Sequence, residues 1–200
     1  VSRLSRGEIV AVKGLGGFHL ACRADDAAAV LRLRARKGRE AKPLALMVEA
    51  LAAARQRVVL DDAAAALLTG WHAPIVLAPR LPGAPVADAV APGLDTLGVM
   101  LPYTPLHVLL LEGGPGPLVL TSANPSAEPL CADNAEALTR LTGIADGFLL
   151  HDRDIERRVD DSVVATATVA RQAALVFVRR ARGYVPEPIR VARPAPRPVL

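Results

Sequence analysis

Apolar residues fall along this chain in two alternating patterns. "GEIVAVKG" (7–14), "PLALMV" (43–48), "PIVLAP" (74–79), "LGVML" (97–101) and "PLVLT" (117–121) are short apolar runs without polar alternation, bounded mostly by Gly or Pro. Such runs predict strands buried on both faces. Between them lie helix signals. Asp25 is placed to N-cap "DAAAVLRLRARKG" (26–38), where Ala27, Val30 and Leu31 share a face and Gly38 is the stop. Asp61 caps "DAAAALLTG", which ends at Gly70. Thr104 at N-cap, Pro105 at N1 and Gly113 past the end bracket a third helix. Asp133 and Glu136 have capping-box spacing at the head of a fourth. The last third, "GFLLH", "SVVATATV" and "ALVFVRR", is strand-like, and residues 79–96 form a Pro- and Gly-rich connection of the kind used as a site loop. The sum predicts an α/β domain whose strands are buried and whose loops carry the polar chemistry.

Composition sharpens this picture. At 52% hydrophobic but only 3% aromatic residues, the core must be built from Val, Leu, Ile and Ala. Seventeen prolines and 15 glycines imply many ordered turns, which excludes a wholly disordered chain. Cys22 and Cys131 lie far apart with no C-x-x-C, so neither a zinc site nor a disulfide framework is signalled, and both read as buried thiols in a reducing compartment. No apolar run approaches the roughly 20 residues of a membrane span, and the N-terminus lacks a signal-peptide core, so the expected location is the cytoplasm. A first residue other than Met and the closing "RVARPAPRPVL" predict a domain over 1–189 and a Pro-rich linker over 190–200, cut from something longer.

The net charge of +4 is modest but uneven. Arg32, Arg34, Arg36, Lys37, Arg39 and Lys42 face only Glu40, and Arg179, Arg180 and Arg182 form a second cluster. A cleft lined by one sign focuses its field on an anion. Lys37-Gly38-Arg39 sits where a helix should end, so it is either a solvated basic helix end or a pair of cations converging on one oxyanion. Lys42-Pro43, leading into a buried strand, favours the second reading. "LTSANPSAEP" (120–129) places Thr121, Ser122, Asn124 and Ser126 at the C-terminal end of a strand, where open α/β sheets bind ligands; the alternative is a turn that satisfies only its own backbone. "KGLGGFHL" matches no phosphate-loop pattern, though its glycines let backbone approach a ligand. His19 reads as a satisfied core histidine, and His72, His107 and His151 lack metal-ligand spacing. "RRVDDSVV" sets Asp160, Asp161 and Ser162 before a strand: the carboxylates either hold Mg²⁺ beside phosphates or pair with Arg157 and Arg158, and strand alternation lets at most one point into a pocket.

The order of these pieces, K-x-R (Lys37, Arg39), K-P, S-x-N (Ser122, Asn124) and R-x-R-G (Arg180, Arg182, Gly183), resembles the YrdC family. More narrowly, "VAVKGLGGFHLAC", "APGLDTLGVMLPYTPLHVLLL", "GIADGFLLHDRDIERRVDDSVV" and "RRARGYVPEPI" are similar to the YrdC-like domain of the hydrogenase-maturation carbamoyltransferases, the HypF family, from Gly7 to about Ile189. The resemblance implies a twisted mixed sheet flanked by helices around a basic ligand-binding concavity. It implies formation of carbamoyl adenylate from ATP, with Mg²⁺, and carbamate derived from carbamoyl phosphate. Lys37, Arg39 and Lys42 would be catalytic. Lys13, Gly14, Phe18, Thr121, Ser122, Asn124, Ser162, Arg180 and Arg182 would bind the nucleotide, and Asp160 or Asp161 would contact metal. Its implied partners are other domains of one polypeptide and a thiol-bearing acceptor protein of hydrogenase maturation.

Two other functions compete. Threonylcarbamoyl-adenylate synthases for tRNA modification usually carry P-T-x-T-x-Y-G-L where this chain has "KGLGGFHL"; Gly14 and Gly16 replace the Thr residues and Phe18 the Tyr. The same basic concavity would also suit a module that binds RNA, double-stranded RNA included, without catalysis. Three Phe, two Tyr and one Trp, scattered, supply no stacking stripe for single strands.

Overall fold

A computed structural model describes residues 1–124, 128–169 and 172–189. The Pro-rich segment 190–200 and Ser126 lie outside the described residues.

The strands are β1 (Val10–Lys13), β2 (Phe18–Arg23), β3 (Ala45–Met47), β4 (Ile75–Pro79), β5 (Thr96–Met100), β6 (Leu118–Ser122), β7 (Gly147–Leu149), β8 (Val163–Val169) and β9 (Gln172–Arg179). They form one mixed sheet in the order β7-β1-β2-β6-β3-β5-β4-β8-β9. Three neighbouring pairs are parallel, β1 with β7, β3 with β5 and β4 with β8; the others are antiparallel. The α/β class with a twisted mixed sheet is therefore the observed one.

Helices α1 (Ser2–Ser5), α2 (Ala27–Lys37), α3 (Leu51–Arg55), α4 (Asp62–Thr69), α5 (Pro105–Glu112) and α6 (Asn134–Arg140) flank the sheet. On one face, Ile9, Ala11, Leu20 and Cys22 pack with Val30 and Leu33 of α2 and Leu68 of α4. On the other, Val10, Val12, Met47, Met100 and Leu120 pack with Leu4 of α1 and with Leu110 and Leu111 of α5. Short helices cover only part of this second face.

The caps form where side-chain chemistry dictates. The Asp61 carboxylate accepts from Ala64 N–H at 2.6 Å, Thr104 Oγ1 from His107 N–H at 3.1 Å, and Asp133 with Glu136 closes a capping box. Gly38 ends α2 in the left-handed region at φ 62°, where a side chain would be strained. One cap differs from expectation. Asp26, not Asp25, caps α2, accepting from Ala29 N–H at 3.0 Å, because Asp25 is held by the Arg23 guanidinium at 2.8 and 2.9 Å. The buried face of α2 is also rotated from the expected one. Ala29, Val30, Leu33, Arg34 and Lys37 are buried, while Leu31 is 57% exposed. Apolar spacing could not find this face because two of its five members are cations.

The interior strand β2 is absent from the sequence reading, since glycines and His19 obscure it. Its hairpin closes where Gly14 N–H donates to Gly17 O at 2.9 Å. The connection 79–96 carries a 3-10 turn at Asp88–Val90 and is pinned to the domain: Leu44 N–H donates to Val90 O at 2.9 Å and Ala87 N–H to Ala24 O at 2.8 Å.

Candidate nucleotide-binding site

Where the second sheet face is left uncovered, Ala45, Ile75, Leu77, Gly98 and Leu120 floor a cavity of about 500 Å³. Gly98 keeps that floor low: a Cβ there would come 2.9 Å from Ile75 Cγ2. One rim is Arg39 and Lys42 after α2, together with Thr121, Ser122 and Asn124 at the end of β6. The opposite rim is Val159, Asp160, Asp161 and Arg179, and Phe18 and His19 of β2 complete the wall. Segments distant in sequence thus meet at strand ends, the usual place for a ligand on an α/β sheet.

The basic rim is a built structure rather than a solvated helix end. Arg34 is 7% exposed. Its guanidinium donates to Arg39 O at 2.9 Å, Glu40 O at 3.1 Å and Lys42 O at 3.2 Å, to Val90 O at 3.1 Å, and to Ala89 O. It thereby ties the loop carrying Arg39 and Lys42 to the 3-10 turn. Sequence reasoning counted Arg34 only as charge; the missed signal is its position three residues before Lys37, on the same helix face.

Lys37 is 6% exposed, and its ammonium donates to Ser122 O, to Asn124 O at 2.8 Å and to Asn124 Oδ1 at 3.0 Å. Burial, reinforced by the like charges of Arg39 and Lys42, pushes its pKa down to about 8. Arg39 donates through Nη1 to Thr121 Oγ1 at 3.0 Å and through Nη2 to Pro43 O at 2.7 Å. Burial also lowers its pKa, but a guanidinium stays charged. Ser122 Oγ donates to Asn124 Oδ1 at 2.8 Å. The K-x-R and S-x-N segments are therefore one hydrogen-bonded unit, with Lys42 beside it on the cavity rim.

The opposite wall is an ion-pair cluster. Arg182 Nε donates to Asp161 Oδ1 at 2.8 Å, its Nη2 donates to Ala73 O at 2.8 Å, and its guanidinium carbon lies 3.7 Å from the centre of the Tyr103 ring. His19 Nε2 lies 3.4 Å from Asp161 Oδ2. Burial alone would raise the Asp161 pKa, but His19 and Arg182 together hold the carboxyl well below its ordinary range. His107 sits behind this wall, 1% exposed and edge-on to Tyr103 at 4.5 Å, and burial drives its pKa down to about 4, so it is neutral. His19 departs from expectation: it is a cavity residue paired to Asp161, and its buried Nδ1 has no partner among the described residues.

Several of the expected site residues stand elsewhere. Arg182 is engaged in the wall and does not line the cavity. Ser162 is buried, donating to Arg182 O and accepting from Ala181 N–H, each at 2.8 Å. Arg180 donates to Tyr184 O at 2.7 Å and to Glu187 O. These three residues shape the wall from behind. Lys13 and Gly14 line a separate, smaller pocket, while Phe18 lines the main one.

Both Asp160 and Asp161 line the cavity, because they precede β8 and strict strand alternation does not reach them. Asp161 is committed to Arg182 and His19. The half-exposed Asp160 carboxylate has, among the described residues, only Arg179 within ion-pair distance, at 3.8 Å. Among the described residues no three His, Cys, Asp or Glu cluster as a metal cage. Mg²⁺ needs none, since one or two carboxylates and substrate phosphates suffice, and Asp160 fits that role.

The family profile Sua5/YciO/YrdC, described as "Telomere recombination", matches residues 2–181. The chain belongs to the Sua5/YciO/YrdC family. Within it, the chain is 54% identical over 211 residues to carbamoyltransferase HypF2 of Cupriavidus necator, an alignment covering 98% of this chain and 26% of that protein. The crystal structure of full-length HypF in its phosphate- and nucleotide-bound form is 46% identical, with a TM-score of 0.88, over 92% of this chain and 29% of that one. The chain thus spans about a quarter of the length of these relatives. The Sua5 protein of P. abyssi, solved with L-threonine, shares the fold at 22% identity and a TM-score of 0.77, over 90% of this chain and 52% of that one. No helix among the described residues is long and apolar enough to cross a membrane.

Proposed function

We propose that this chain joins carbamate to AMP. A carbamate oxygen attacks the α-phosphorus of ATP, the bond to the β-phosphate breaks, and carbamoyl adenylate forms with release of pyrophosphate. The observation that carries this reading is one hydrogen-bonded unit in which Arg39, Ser122 and Asn124 line the rim of the cavity and Lys37 is bonded beside them, so that four donor-bearing side chains converge. Similarity to a HypF solved with phosphate and nucleotide supports it.

In this reaction the transition state gathers negative charge on phosphate oxygens, so fixed cations supply most of the catalysis. Arg39 and Lys42 bind the triphosphate, and Lys37 supplies positive charge while holding the Asn124 carboxamide in place. Ser122 and Asn124 orient phosphate or ribose. Mg²⁺, held by Asp160 and the nucleotide's own phosphates, would neutralise further charge. The cavity walls limit access of water to the labile product. In a longer carbamoyltransferase the product would pass to another domain and then to a thiol of a hydrogenase-maturation protein, as the HypF resemblance implies.

Two observations weigh against the competing functions. A Cβ at Gly14 would lie 2.7 Å from Gly17 O and one at Gly16 would lie 2.6 Å from Val159 O, so the hydroxyl-bearing loop of the threonine-using enzymes does not fit this backbone. Arg34 and Lys37 are buried, which removes two cations from any RNA-facing surface.

Calorimetry with MgATP on the native chain, Lys37→Ala and Arg39→Ala tests the site. Binding that weakens by about 1 kcal/mol or more in both variants is expected for charge-assisted bonds; equal binding by all three overturns the assignment. Pyrophosphate release from MgATP should then respond to ammonium carbamate and not to threonine with bicarbonate. The opposite preference would move the chain to the threonylcarbamoyl class.

A further inference from the structure

Lys13, the last residue of β1, is 3% exposed, and among the described residues its ammonium donates to a single neutral acceptor, the His151 carbonyl, at 3.0 Å. An ammonium has three N–H donors, and a charge this deeply buried is stable only when paired or fully hydrogen-bonded. Lys13 lines a pocket of about 320 Å³ that lies apart from the main cavity. The wall between them runs through Tyr103 and the hairpin, where a Cβ on Gly14 would come 2.9 Å from His19 Nδ1.

The other polar side chains of this pocket are also able to donate. Thr104 Oγ1 already accepts from His107 N–H, so its O–H is left to give. His151 has a buried Nδ1 with no partner among the described residues. Arg153 adds a second cation at the mouth. Among the described residues no carboxylate lines the pocket, and Asp152 and Asp154, which flank Arg153, are exposed and outside the lining. Leu15, Pro105 and Leu106 supply apolar walls. A buried cation with unused donors, in a pocket that offers hydrogen-bond donors and no negative charge, lacks an anion.

We propose that this second pocket binds a small oxyanion of the carbonate, carboxylate or phosphate class, on the far side of the Tyr103 and His19 wall from the nucleotide cavity. The assignment stands whether or not the main cavity makes an adenylate.

The test is a two-dimensional amide NMR titration of this chain with bicarbonate and, separately, with inorganic phosphate, following Gly14, Leu15 and Leu106. Saturable shifts at these amides are expected with at least one probe; bicarbonate alone would define a planar ligand and phosphate alone a tetrahedral one. Lys13→Met should weaken the response about tenfold or more, as loss of a charge-assisted bond predicts, and Arg153→Ala should weaken it less. Without anion, Lys13→Met should melt no lower than the native chain, since it removes a charge that has no charged partner among the described residues. Arg39→Ala should leave the response intact while losing MgATP, which separates this site from the nucleotide reading. Absence of saturation, a Lys13→Met response equal to the native one, or loss of the response in Arg39→Ala overturns the proposal. If Lys13→Met does not fold, the native and Arg153→Ala titrations decide.

Discussion

At the scale of single residues, Lys37 has the environment with the sharpest consequences. Its pKa, pushed by burial down to about 8 from an ordinary 10.5, means that the folded state releases its proton before the unfolded chain does. The unfolded state then binds more protons between these values, so this residue's contribution makes stability rise with pH from about 8 to about 10.5. Denaturant titrations across that window should show the rise in the native chain and its loss in Lys37→Met. A bound triphosphate reverses the shift by favouring the ammonium. MgATP binding at pH 8.5 should therefore take up protons, read as a dependence of the calorimetric heat on buffer ionisation enthalpy, and at pH 6.5 the dependence should vanish. Asp161 is the counterpart on the other wall. Asp161→Asn leaves Arg182 and His19 without their carboxylate, and a loss of about 3–5 kcal/mol in denaturant unfolding is expected for breaking a buried pair.

At the scale of elements, α2 and the β1–β2 hairpin shape the site. Helix α2 turns two cations inward, and both act on backbone: Arg34 on the loop at 39–42, Lys37 on the end of β6. Arg34→Met keeps the volume but removes the donor to the carbonyls of Arg39, Glu40 and Ala89 and one of two donors to those of Lys42 and Val90. It should weaken MgATP binding as Arg39→Ala does, although Arg34 touches no ligand, and hydrogen exchange at 39–42 should accelerate. The hairpin is equally constrained. Gly16→Thr places a Cβ 2.6 Å from the Val159 carbonyl, and a destabilisation of about 1–3 kcal/mol by overpacking should follow, measured as a fall in the denaturation midpoint. A Gly16→Thr chain that folds with native stability would remove the steric argument against a threonine-binding loop.

At the scale of the whole molecule, the sheet order brings His19, Arg39, Ser122 and Asp160 around one cavity although they are spread over most of the chain. A ligand bridging these segments stabilises the fold as a unit, by about 2.7 kcal/mol at a concentration one hundred times its Kd. Thermal unfolding with MgATP should show a single transition moved upward, and Arg39→Ala should abolish the shift. Much of this architecture was legible in the chain. Continuous apolar runs placed five of the nine strands among the described residues, because strands buried on both faces tolerate few polar positions, and strand-like runs in the last third placed three more; Asp61, Thr104 and Asp133 located helix starts, because their side chains satisfy backbone N–H groups at the helix head. Motif order found the K-x-R and S-x-N segments. Local pattern could not show which cations point inward, since α2 buries Arg34 and Lys37 only because carbonyls of distant loops await them. Nor could it separate Lys13 from the main cavity, join His19 to Asp161, or move Arg182 off the cavity lining. Those relations depend on pairing between strands remote in sequence. The sequence by itself determined the elements and the chemistry available to them, through short-range propensity and capping. Only the tertiary structure decided which charges share a wall, because burial and long-range hydrogen bonds exist only once the sheet has closed.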